Sequence, residues 1–442
     1  MKENPILTRE TFRTSRLLEY FSEKELTLQT GHEPGRWPEV VLKELIDNAL
    51  DACEEAGTLP EISIESTPDQ ITVKDNGPGI PPKVIESILD FSVRVSSNDA
   101  YVSPTRGAQG NALKTVVAIP YVLGGGHAQT VIIASHGQRH SITIALDRIE
   151  QTPAITHGLA ADPSVKTGTC VTVPVPRLET NLHAVFLPLV ESYSLFNPHA
   201  SFILRFSALD VHQFDRTALD CRKWRPSDPT SAHWYTGAQL RGLMAAYVTA
   251  ERRGGPALTV RDFIGQFRGL SSTRKRKAIL TRLPRLAGLS LSACVENGDI
   301  DEELVASLLA AMRGESKPVK PLELGHLGKA HLQTWLEAHA GIAATVTYKR
   351  VADLDNATEL PFVFEFAFGA RQDTDPRRLF VGINAAPTLV DPFRMLKGYG
   401  VGLDGLLNAQ YLGPDAPVTC VAHLSCPHLH YTDRGKSSLE AL

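Results

Sequence analysis

The segment that most constrains this chain is residues 40–52, whose apolar side chains recur at helical spacing without an interrupting glycine or proline. Glu44 and Asn48 are four residues apart in it, which predicts two side chains one turn apart on the same helix face. A carboxylate there can orient and deprotonate a water molecule, and an amide oxygen suits a magnesium ion that already carries phosphate oxygens. Asp47 and Asp51 add negative charge, so a solvated acidic helix face is the alternative.

Two glycine-bearing segments follow this helix. Residues 73–80 read Val-Lys-Asp-Asn-Gly-Pro-Gly-Ile, an apolar strand that runs into a turn, and residues 105–114 read Thr-Arg-Gly-Ala-Gln-Gly-Asn-Ala-Leu-Lys, a loop that leads into a helix. Each is a weak signal alone, because Asp-x-Gly-x-Gly also describes many turns. In this order and at these separations, the three segments resemble the nucleotide-binding signatures of the GHKL ATPases, the superfamily that includes gyrase-type topoisomerases and histidine kinases.

This resemblance implies a site for ATP and Mg²⁺. Glu44 would position the attacking water, and Asn48 would hold the magnesium ion as its protein ligand. Asp75 would accept a hydrogen bond from the exocyclic amine of adenine, an interaction that ATP and GTP do not share. Gly77 and Gly79 would let the backbone approach the base closely.

The resemblance also implies a phosphate cradle, made by backbone N–H groups and the N-terminus of the next helix. Its predicted residues are Arg106, Gly107, Ala108, Gln109, Gly110, Asn111, Ala112, Leu113 and Lys114. Lys114 is equally compatible with a solvated helix position. Thr169 would add a hydroxyl near Asp75, although it also fits an ordinary strand threonine. A mobile lid over the nucleotide is predicted at residues 91–105, with Ser97 and Asn98 in it.

Hydropathy patterns divide the chain into three regions, and the predicted fold class is α+β. Residues 1–208 predict two helices packed on a mixed or antiparallel sheet, an α/β sandwich, with a hairpin at 61–66 and 70–75. The resemblance implies that this sandwich has the GHKL (Bergerat) fold. Residues 209–330 are loop-like up to about 235 and helical afterwards, and strands return in 331–442. Further strands are predicted at 130–135, 141–146, 169–175, 201–206, 344–350, 361–369, 378–383 and 418–424.

The composition is that of an ordinary globular chain, since 43% of its 442 residues are hydrophobic and 21% are charged. The net charge of −4 gives no overall attraction to nucleic acid, so such binding must come from a local patch. No apolar run is long enough to span a bilayer, and residues 1–5 lack the apolar core of a signal peptide. We therefore expect a cytoplasmic protein without a membrane partner.

The six cysteines form no C-x-x-C pair, and scattered reduced thiols fit a cytosolic protein. Cys420 and Cys426 lie close in sequence to several histidines, which suggests a metal site. An alternating strand of packed residues explains the same pattern and is the favoured interpretation.

Longer stretches resemble the B subunit of topoisomerase VI, and the match covers nearly the whole chain. Residues 43–60 are close to that family's form of the Glu44 helix, and residues 258–311 are similar to its helix-two-turn-helix insert. Segments 362–365, 380–387 and 421–424 look like strands of its transducer domain. The resemblance thus implies a GHKL ATP-binding domain at 1–208, a linker and helix-two-turn-helix-like domain at 209–330, and an α/β transducer domain at 331–442.

In that family a switch lysine of the transducer domain reaches the γ-phosphate, and the matching residue here is Lys436, although a frayed tail residue is the alternative. Two departures stand out. Asn111-Ala112 replaces a further glycine of the cradle, and the chain stops at Leu442, where the family normally continues with a long helix toward its DNA-cleaving A subunit. That helix is therefore expected to be absent.

The resemblance implies an ATP-dependent dimerising clamp that binds and hydrolyses ATP with Mg²⁺ and gates DNA passage with a separate DNA-cleaving A-type partner. Homodimerisation would follow ATP binding. DNA would be held by the clamp and by the helical insert, where the basic run 274–277 could instead be a solvated face. The alternatives are an orphan GHKL ATPase that remodels DNA or protein without topoisomerase activity, and a non-catalytic ATP-sensing module in which Glu44 is idle.

Overall fold

The computed structural model describes residues 21–89, 101–106, 112–147, 152–176, 181–296, 298–342, 345–393, 402–429, 431 and 439. Three hydrophobic regions organise these residues: an α/β sandwich, a helical domain and a second α/β domain. The predicted α+β class is confirmed.

The α/β sandwich is built on an eight-stranded sheet. Its strands are β1 (Glu61–Ser66), β2 (Gln70–Lys74), β3 (Gln129–Ser135), β4 (Gln138–Asp147), β5 (Thr152–Ala161), β6 (Thr169–Pro174), β7 (Ser201–Arg205) and β8 (Val211–Phe214). Their order is β5-β4-β3-β6-β2-β1-β7-β8, and only the β1–β7 pair is parallel. The sheet therefore continues past residue 208 into the segment that the sequence suggests is a loop.

Helices cover the core of this sheet. They are α1 (Glu23–Thr30), α2 (Trp37–Glu55), α3 (Pro82–Ile88), α4 (Ala112–Leu123) and α5 (Leu182–Phe196). The 19-residue α2 is the central one, since it contacts both α4 and α5 as well as β1, β2 and β6. Trp37 is fully buried at its start and donates its indole N–H to the carbonyl of His32 at 2.8 Å. This anchor fixes the direction in which α2 crosses the sheet.

The helical domain contains α6 (Gly237–Arg252), α7 (Val260–Gly265), α8 (Thr273–Arg282) and α9 (Glu302–Glu315), with a short hairpin of β9 (Val295–Glu296) and β10 (Asp299–Ile300). Thr236 and Gln239 form a capping box that begins α6. Its core is separate from that of the sandwich and is centred on aromatic residues such as Phe263 and Phe267, whose rings meet edge to face.

The second α/β domain contains α10 (Lys329–His339), β11 (Thr347–Leu354), β12 (Pro361–Ala370), β13 (Arg378–Ile383), β14 (Ala386–Pro387), α11 (Leu403–Ala409) and β15 (Val418–Ser425). The strand order is β11-β12-β15-β13-β14, and β15 is buried along its whole length. Leu195 and Phe196 of α5 share a core cluster with Trp335 of α10 and Phe380 of β13. The two α/β domains are thus packed together through the end of α5.

Buried strand packing also accounts for the cysteine pattern of this domain. Cys420 is fully buried in β15, and His423 of the same strand contacts Glu365 rather than a thiol. Within the described residues, one group of three potential metal ligands occurs, and it is His183, Asp210 and His212 at the β8 edge of the first sheet. The favoured strand interpretation agrees with these contacts.

Candidate functional site

A pocket lies between α2 and the middle of the first sheet. It brings together Asn48, Asp75 and Thr169, which are widely separated in sequence. Its complete lining is Leu45, Asn48, Ala49, Ala52, Val73, Asp75, Ile80, Leu113, Thr169 and Val171. Mostly apolar walls with a few polar groups are typical of a small-molecule site.

Asp75 is the buried carboxylate of this pocket and follows directly after β2. Its Oδ1 accepts hydrogen bonds from the backbone N–H of Gly77 at 2.8 Å and of Thr169 at 3.2 Å. Burial raises the pKa of Asp75, against the lowering effect of these hydrogen bonds. A carboxylate held this way has a fixed position, and it can accept a hydrogen bond from a bound base.

Glycines allow the backbone to pass close to Asp75. Gly79 has φ +89°, and a Cβ there would lie 2.6 Å from the Ser135 hydroxyl. Gly168 has φ +75°, and a Cβ there would lie 2.0 Å from the carbonyl oxygen of Asp75. Any larger residue at either position would displace the pocket wall.

Two residues that contact the pocket residues from behind, Gly168 and Ser135, are absent from the predicted site residues. Gly168 precedes Thr169, and its sequence signal is the Thr167-Gly168-Thr169 turn at the start of β6. Ser135 at the end of β3 accepts a hydrogen bond from the N–H of Ile80 at 2.9 Å. No local pattern identifies Ser135, because its partner is 55 residues away.

Glu44 and Asn48 lie on α2, and both are partly exposed. Within the described residues, Nδ2 of Asn48 is buried and has no hydrogen-bond partner. A buried polar atom without a partner at a pocket wall fits contact with a ligand. This N–H donor suits a hydrogen bond to an oxygen of a bound nucleotide, and magnesium binding through Oδ1 of Asn48 stays a prediction.

The acidic residues on the other side of α2 are not solvated. Asp47 is buried, forms an ion pair with Lys43 at 2.5 Å and accepts a hydrogen bond from the Tyr193 hydroxyl at 2.7 Å. Burial and the neighbouring Asp47 raise the pKa of Tyr193 well above its ordinary value. The alternative of a solvated acidic face is therefore wrong for Asp47.

Arg106, predicted for the cradle, lies in a buried ionic cluster at the C-terminal half of α2. Its Nη1 donates to Asp51 at 2.7 Å and to Glu54 at 2.9 Å, and its Nη2 donates to Glu54 at 2.8 Å. Burial opposes the charge of Glu54, but Arg106 and Lys223 hold the pKa of this carboxyl well below its usual range. These contacts and those to Asn197 and Ala385 use all five N–H donors of Arg106, so in this structure it has no donor left for the predicted phosphate contact.

The structure describes some of the remaining predicted cradle residues, whereas others and the switch lysine lie outside the described residues. Leu113 lines the pocket, and Lys114 is only 8% exposed, which excludes a solvated helix position for it. Ala112 begins α4, and its side chain is not described. The predicted residues that lie outside the described part of the chain are Ser97, Asn98, Gly107, Ala108, Gln109, Gly110, Asn111 and Lys436.

The end of the predicted lid is anchored to the helical domain. Val102 is buried in the core of that domain, and its N–H donates to the Tyr235 hydroxyl at 2.9 Å. The Thr230 hydroxyl donates to the carbonyl of Val102 at 2.6 Å, and the Tyr101 hydroxyl donates to the carbonyl of Asp228 at 3.1 Å. Residues 101 and 102 are thus anchored to the helical domain in this structure, and the mobile lid stays a prediction.

The basic run of α8 is partly neutralised by its surroundings. Arg276 pairs with Asp262 at 3.4 Å, and Lys275 donates to the carbonyl of Gly269 at 2.8 Å. Arg274 and Lys277 are exposed on the same helix. These two side chains are the ones most accessible to a phosphate backbone.

Comparison with known proteins identifies the class of this domain. Residues 35–179 match the family of histidine kinase-, DNA gyrase B-, and HSP90-like ATPases. The matched residues include α2, the Asp75 turn and Thr169, which together form the pocket. This region of the chain is thus a GHKL-type ATPase domain.

The chain as a whole is similar to the B subunit of type 2 DNA topoisomerase 6. It is 25% identical to that protein of Archaeoglobus fulgidus over 96% of this chain and 70% of the relative, and 26% identical to that of Thermococcus kodakarensis over 69% of this chain and 54% of the relative. The protein of Natronomonas pharaonis is 33% identical over 36% of this chain and 20% of the relative. The resemblance expected from the motifs is confirmed.

A solved ATPase domain of Aquifex aeolicus MutL complexed with ADP covers 87% of this chain and 90% of its own, with 13% identity and a TM-score of 0.31. A likeness at this level adds no argument about the site. Of the helices within the described ranges, none combines the length and apolarity needed to cross a bilayer.

Proposed function

We propose that this chain is an ATP-hydrolysing, dimerising clamp of the kind formed by the B subunit of topoisomerase VI. The observation that carries the proposal is the pocket between α2 and the sheet, which is lined by the buried Asp75 and by Asn48, whose Nδ2 has no hydrogen-bond partner. The matched ATPase family and the similarity over 96% of the chain support it.

Each step of ATP binding and hydrolysis is assigned to particular residues of the chain. Asp75 accepts a hydrogen bond from the exocyclic amine of adenine. The pKa of its carboxyl is raised because burial disfavours the charged form, and the amine of the base supplies a donor to that charge. Glu44 orients the attacking water and takes its proton. Asn48 would hold the magnesium ion, which when bound neutralises charge on the phosphates. Lys436 would complete the site at the γ-phosphate.

The proposed function also includes dimerisation of the chain, binding of DNA and association with a partner subunit. A clamp closes when ATP binding favours the dimer over the monomer, and it reopens after hydrolysis. DNA would meet the exposed Arg274 and Lys277 of the helical domain, and strand cleavage would need a separate A-type subunit. Co-purification of such a subunit separates this role from that of an ATPase that remodels DNA or protein on its own.

The test is steady-state turnover of ATP and of GTP by the wild type and by Asp75→Asn. The substitution keeps the shape of the side chain but replaces one oxygen with a donor that repels the adenine amine. We expect a preference for ATP in the wild type that Asp75→Asn loses, since a site built to pair with a polar group discriminates strongly. Absence of ATP turnover in the wild type, or an unchanged preference in the variant, would contradict the proposal.

A further inference from the structure

The guanidinium of Arg106 is fully buried, and all five of its N–H donors are used. Four of them contact Asp51, Glu54 (twice) and Asn197. The fifth, on Nε, donates to the carbonyl of Ala385 at 3.4 Å. The first contacts lie in the ATPase domain, whereas Ala385 belongs to the second α/β domain, so this one side chain joins both.

Asn197 reinforces the link to Ala385. Its Nδ2 donates to the carbonyl of Ala385 at 3.0 Å and to that of Tyr193 at 2.9 Å, while its Oδ1 accepts from Arg106. Asn197 is fully buried at the end of α5. The carbonyl of Ala385 therefore has two donors, both supplied by the ATPase domain.

The turn that receives these contacts is strained. Asn384 has φ +51° and Ala385 has φ +63°, a left-handed conformation that alanine rarely adopts. Asn384 holds one side of the turn, because its Nδ2 donates to the carbonyl of Cys426 at 3.1 Å and its Oδ1 accepts from the Cys426 N–H at 2.9 Å. Such a conformation persists only where its surroundings fix it.

A second buried pair connects this turn to α10. The N–H of Ala385 donates to Nε2 of His423 at 3.2 Å, which makes Nδ1 the donor toward Glu365 at 3.2 Å. Glu365 also accepts from the backbone N–H groups of Leu327 at 2.7 Å and Gly328 at 2.8 Å, just before α10. His423 and these hydrogen bonds lower the pKa of Glu365 to about 2 against the effect of its burial, so the acceptor stays charged.

We propose that Arg106 is a positioning residue that couples α2, the helix of Glu44 and Asn48, to the second α/β domain through the Asn384–Ala385 turn. The path runs from Arg106 to the Ala385 carbonyl, and from the Ala385 N–H through His423 and Glu365 to the start of α10. The inference rests on the proposed function, since it gives the route by which a nucleotide bound beside α2 affects the second α/β domain. It is separate from the predicted Lys436 contact.

Arg106→Lys tests this route. Lysine keeps the charge but has three donors and no fork, so it can pair with Asp51 and Glu54 while losing Ala385. We expect nucleotide affinity to change little and kcat to fall by roughly tenfold or more, as for other residues that position a site from a distance. Asn197→Ala, which removes the second donor without changing charge, should lower kcat in the same direction.

Lys223→Met is the matched control. Lys223 pairs with the same Glu54 at 2.5 Å and is itself largely buried. It lines a small cavity with Asn384 and Ala385, but its ion pair is made to Glu54 and not to the turn. We expect this variant to lose stability in thermal unfolding and to keep the kcat of the wild type. A fall in kcat equal to that of Arg106→Lys would show that the ionic cluster only stabilises the fold, and it would overturn the proposal.

Hydrogen exchange gives a readout that does not depend on turnover. A non-hydrolysable ATP analogue should slow exchange of the Leu327 and Gly328 amides in the wild type and in Lys223→Met, but not in Arg106→Lys. An equal response in Arg106→Lys would also overturn the proposal. If the wild type binds no ATP, the proposed function fails instead, and faster exchange of the Ala385 amide in nucleotide-free Arg106→Lys still tests the contact itself.

Discussion

Two aspartates show that the role of a residue in this protein depends on its place in the fold as well as on its type. Asp75 and Asp47 are both buried aspartates of the ATPase domain. Asp47 is paired with Lys43 and Tyr193 and holds α2 to α5, whereas Asp75 accepts from the backbone N–H of Gly77 and lines the pocket. The first therefore acts in folding, and the second suits recognition of a base.

At this scale, Glu44→Ala is expected to keep ATP binding and lose hydrolysis, because the water loses its base while Asp75 and the pocket glycines remain. The loss in kcat should be about 10²-fold or more, as for removal of a positioned general base. Steady-state turnover and equilibrium nucleotide binding measure the two effects. Asn48→Ala should instead weaken binding that depends on magnesium.

Glu55→Ala is the matched control for Glu44. Glu55 is an exposed glutamate of the same helix, and its carboxylate accepts from the N–H of Ser227 at 2.6 Å, outside the pocket. Its turnover should equal that of the wild type. Full turnover by Glu44→Ala would favour the ATP-sensing alternative, in which this carboxylate is idle.

Different faces of helix α2 contact different parts of the protein. One side of α2 lines the pocket with Asn48, Ala49 and Ala52, and another side holds the ionic cluster through Asp51 and Glu54. Because a helix is rigid over its length, a displacement at one face is shared by the other. A ligand bound at the pocket face of α2 would therefore affect the contacts made by the other face.

The exposed basic residues of α8 give a prediction at the scale of an element. Charge reversal of both, Arg274→Glu with Lys277→Glu, should weaken DNA binding at all sequences, since phosphate contacts carry no sequence information. The logarithm of the binding constant should depend less steeply on the logarithm of the salt concentration. The magnitude of that slope should decrease by roughly 2, about 1 for each lost phosphate contact. Binding measured by fluorescence anisotropy over a salt series provides both numbers.

Lys83→Glu with Lys166→Glu is the control for this pair. Both lysines are exposed and lie in the ATPase domain, so the double variant changes the net charge by the same amount away from α8. Its salt slope should match the wild type. Equal loss in the two double variants would show that net charge, and not α8, governs the interaction.

The whole molecule is held together by buried contacts that cross its domains. Gly382 allows one of them, since a Cβ there would lie 2.7 Å from the ring of Phe196. Trp335 of α10 donates its indole N–H to the Ser194 hydroxyl of α5 at 2.9 Å. Val102 is meanwhile part of the helical core. The second α/β domain thus contacts the end of α5, and the helical domain contacts the end of the predicted lid.

At this scale, a non-hydrolysable ATP analogue is expected to drive a compact homodimer more strongly than ADP does. ADP lacks the γ-phosphate that Lys436 is predicted to meet, and a ligand shifts an equilibrium only by its differential interaction with the two states. Lys436→Ala should impair hydrolysis and dimerisation while leaving adenine binding intact, because Asp75 is untouched. Sedimentation with each nucleotide measures the dimer.

Lys349→Ala serves as the control, since Lys349 is an exposed lysine of β11 in the same domain. It should dimerise as the wild type does. A wild type that stays monomeric with the analogue, or normal hydrolysis by Lys436→Ala, would contradict the clamp mechanism.

Features that depend on neighbouring residues could be predicted from the sequence. The hairpin expected at 61–66 and 70–75 occurs as Glu61–Ser66 and Gln70–Lys74, and the Glu44 helix occurs as Trp37–Glu55. Period-2 alternation and helical spacing are local patterns, so they remain visible without the fold. The pocket residues Asn48, Asp75 and Thr169 could be named because the order and separation of the motifs resemble the nucleotide-binding signatures of the GHKL ATPases.

The edge strands of the first sheet, β5 and β8, could not be predicted, and the reason is their place in that sheet. β5 begins with Thr152-Pro153 and contains Gly158, which argue against a strand in the interior. At the edge of the sheet one side needs no hydrogen-bond partner, so these residues are tolerated there. β8 is similarly short and lies at the opposite edge.

The sequence by itself thus determined the ATPase motifs, the α+β class and most elements, because these follow from local spacing. Only the tertiary structure decided the partners of Arg106, which lie 52 residues away at Glu54 and 279 residues away at Ala385. A buried charge must be paired wherever the fold places an opposite charge, and no periodicity records that pairing. The route from α2 to the second α/β domain therefore exists only in the folded chain.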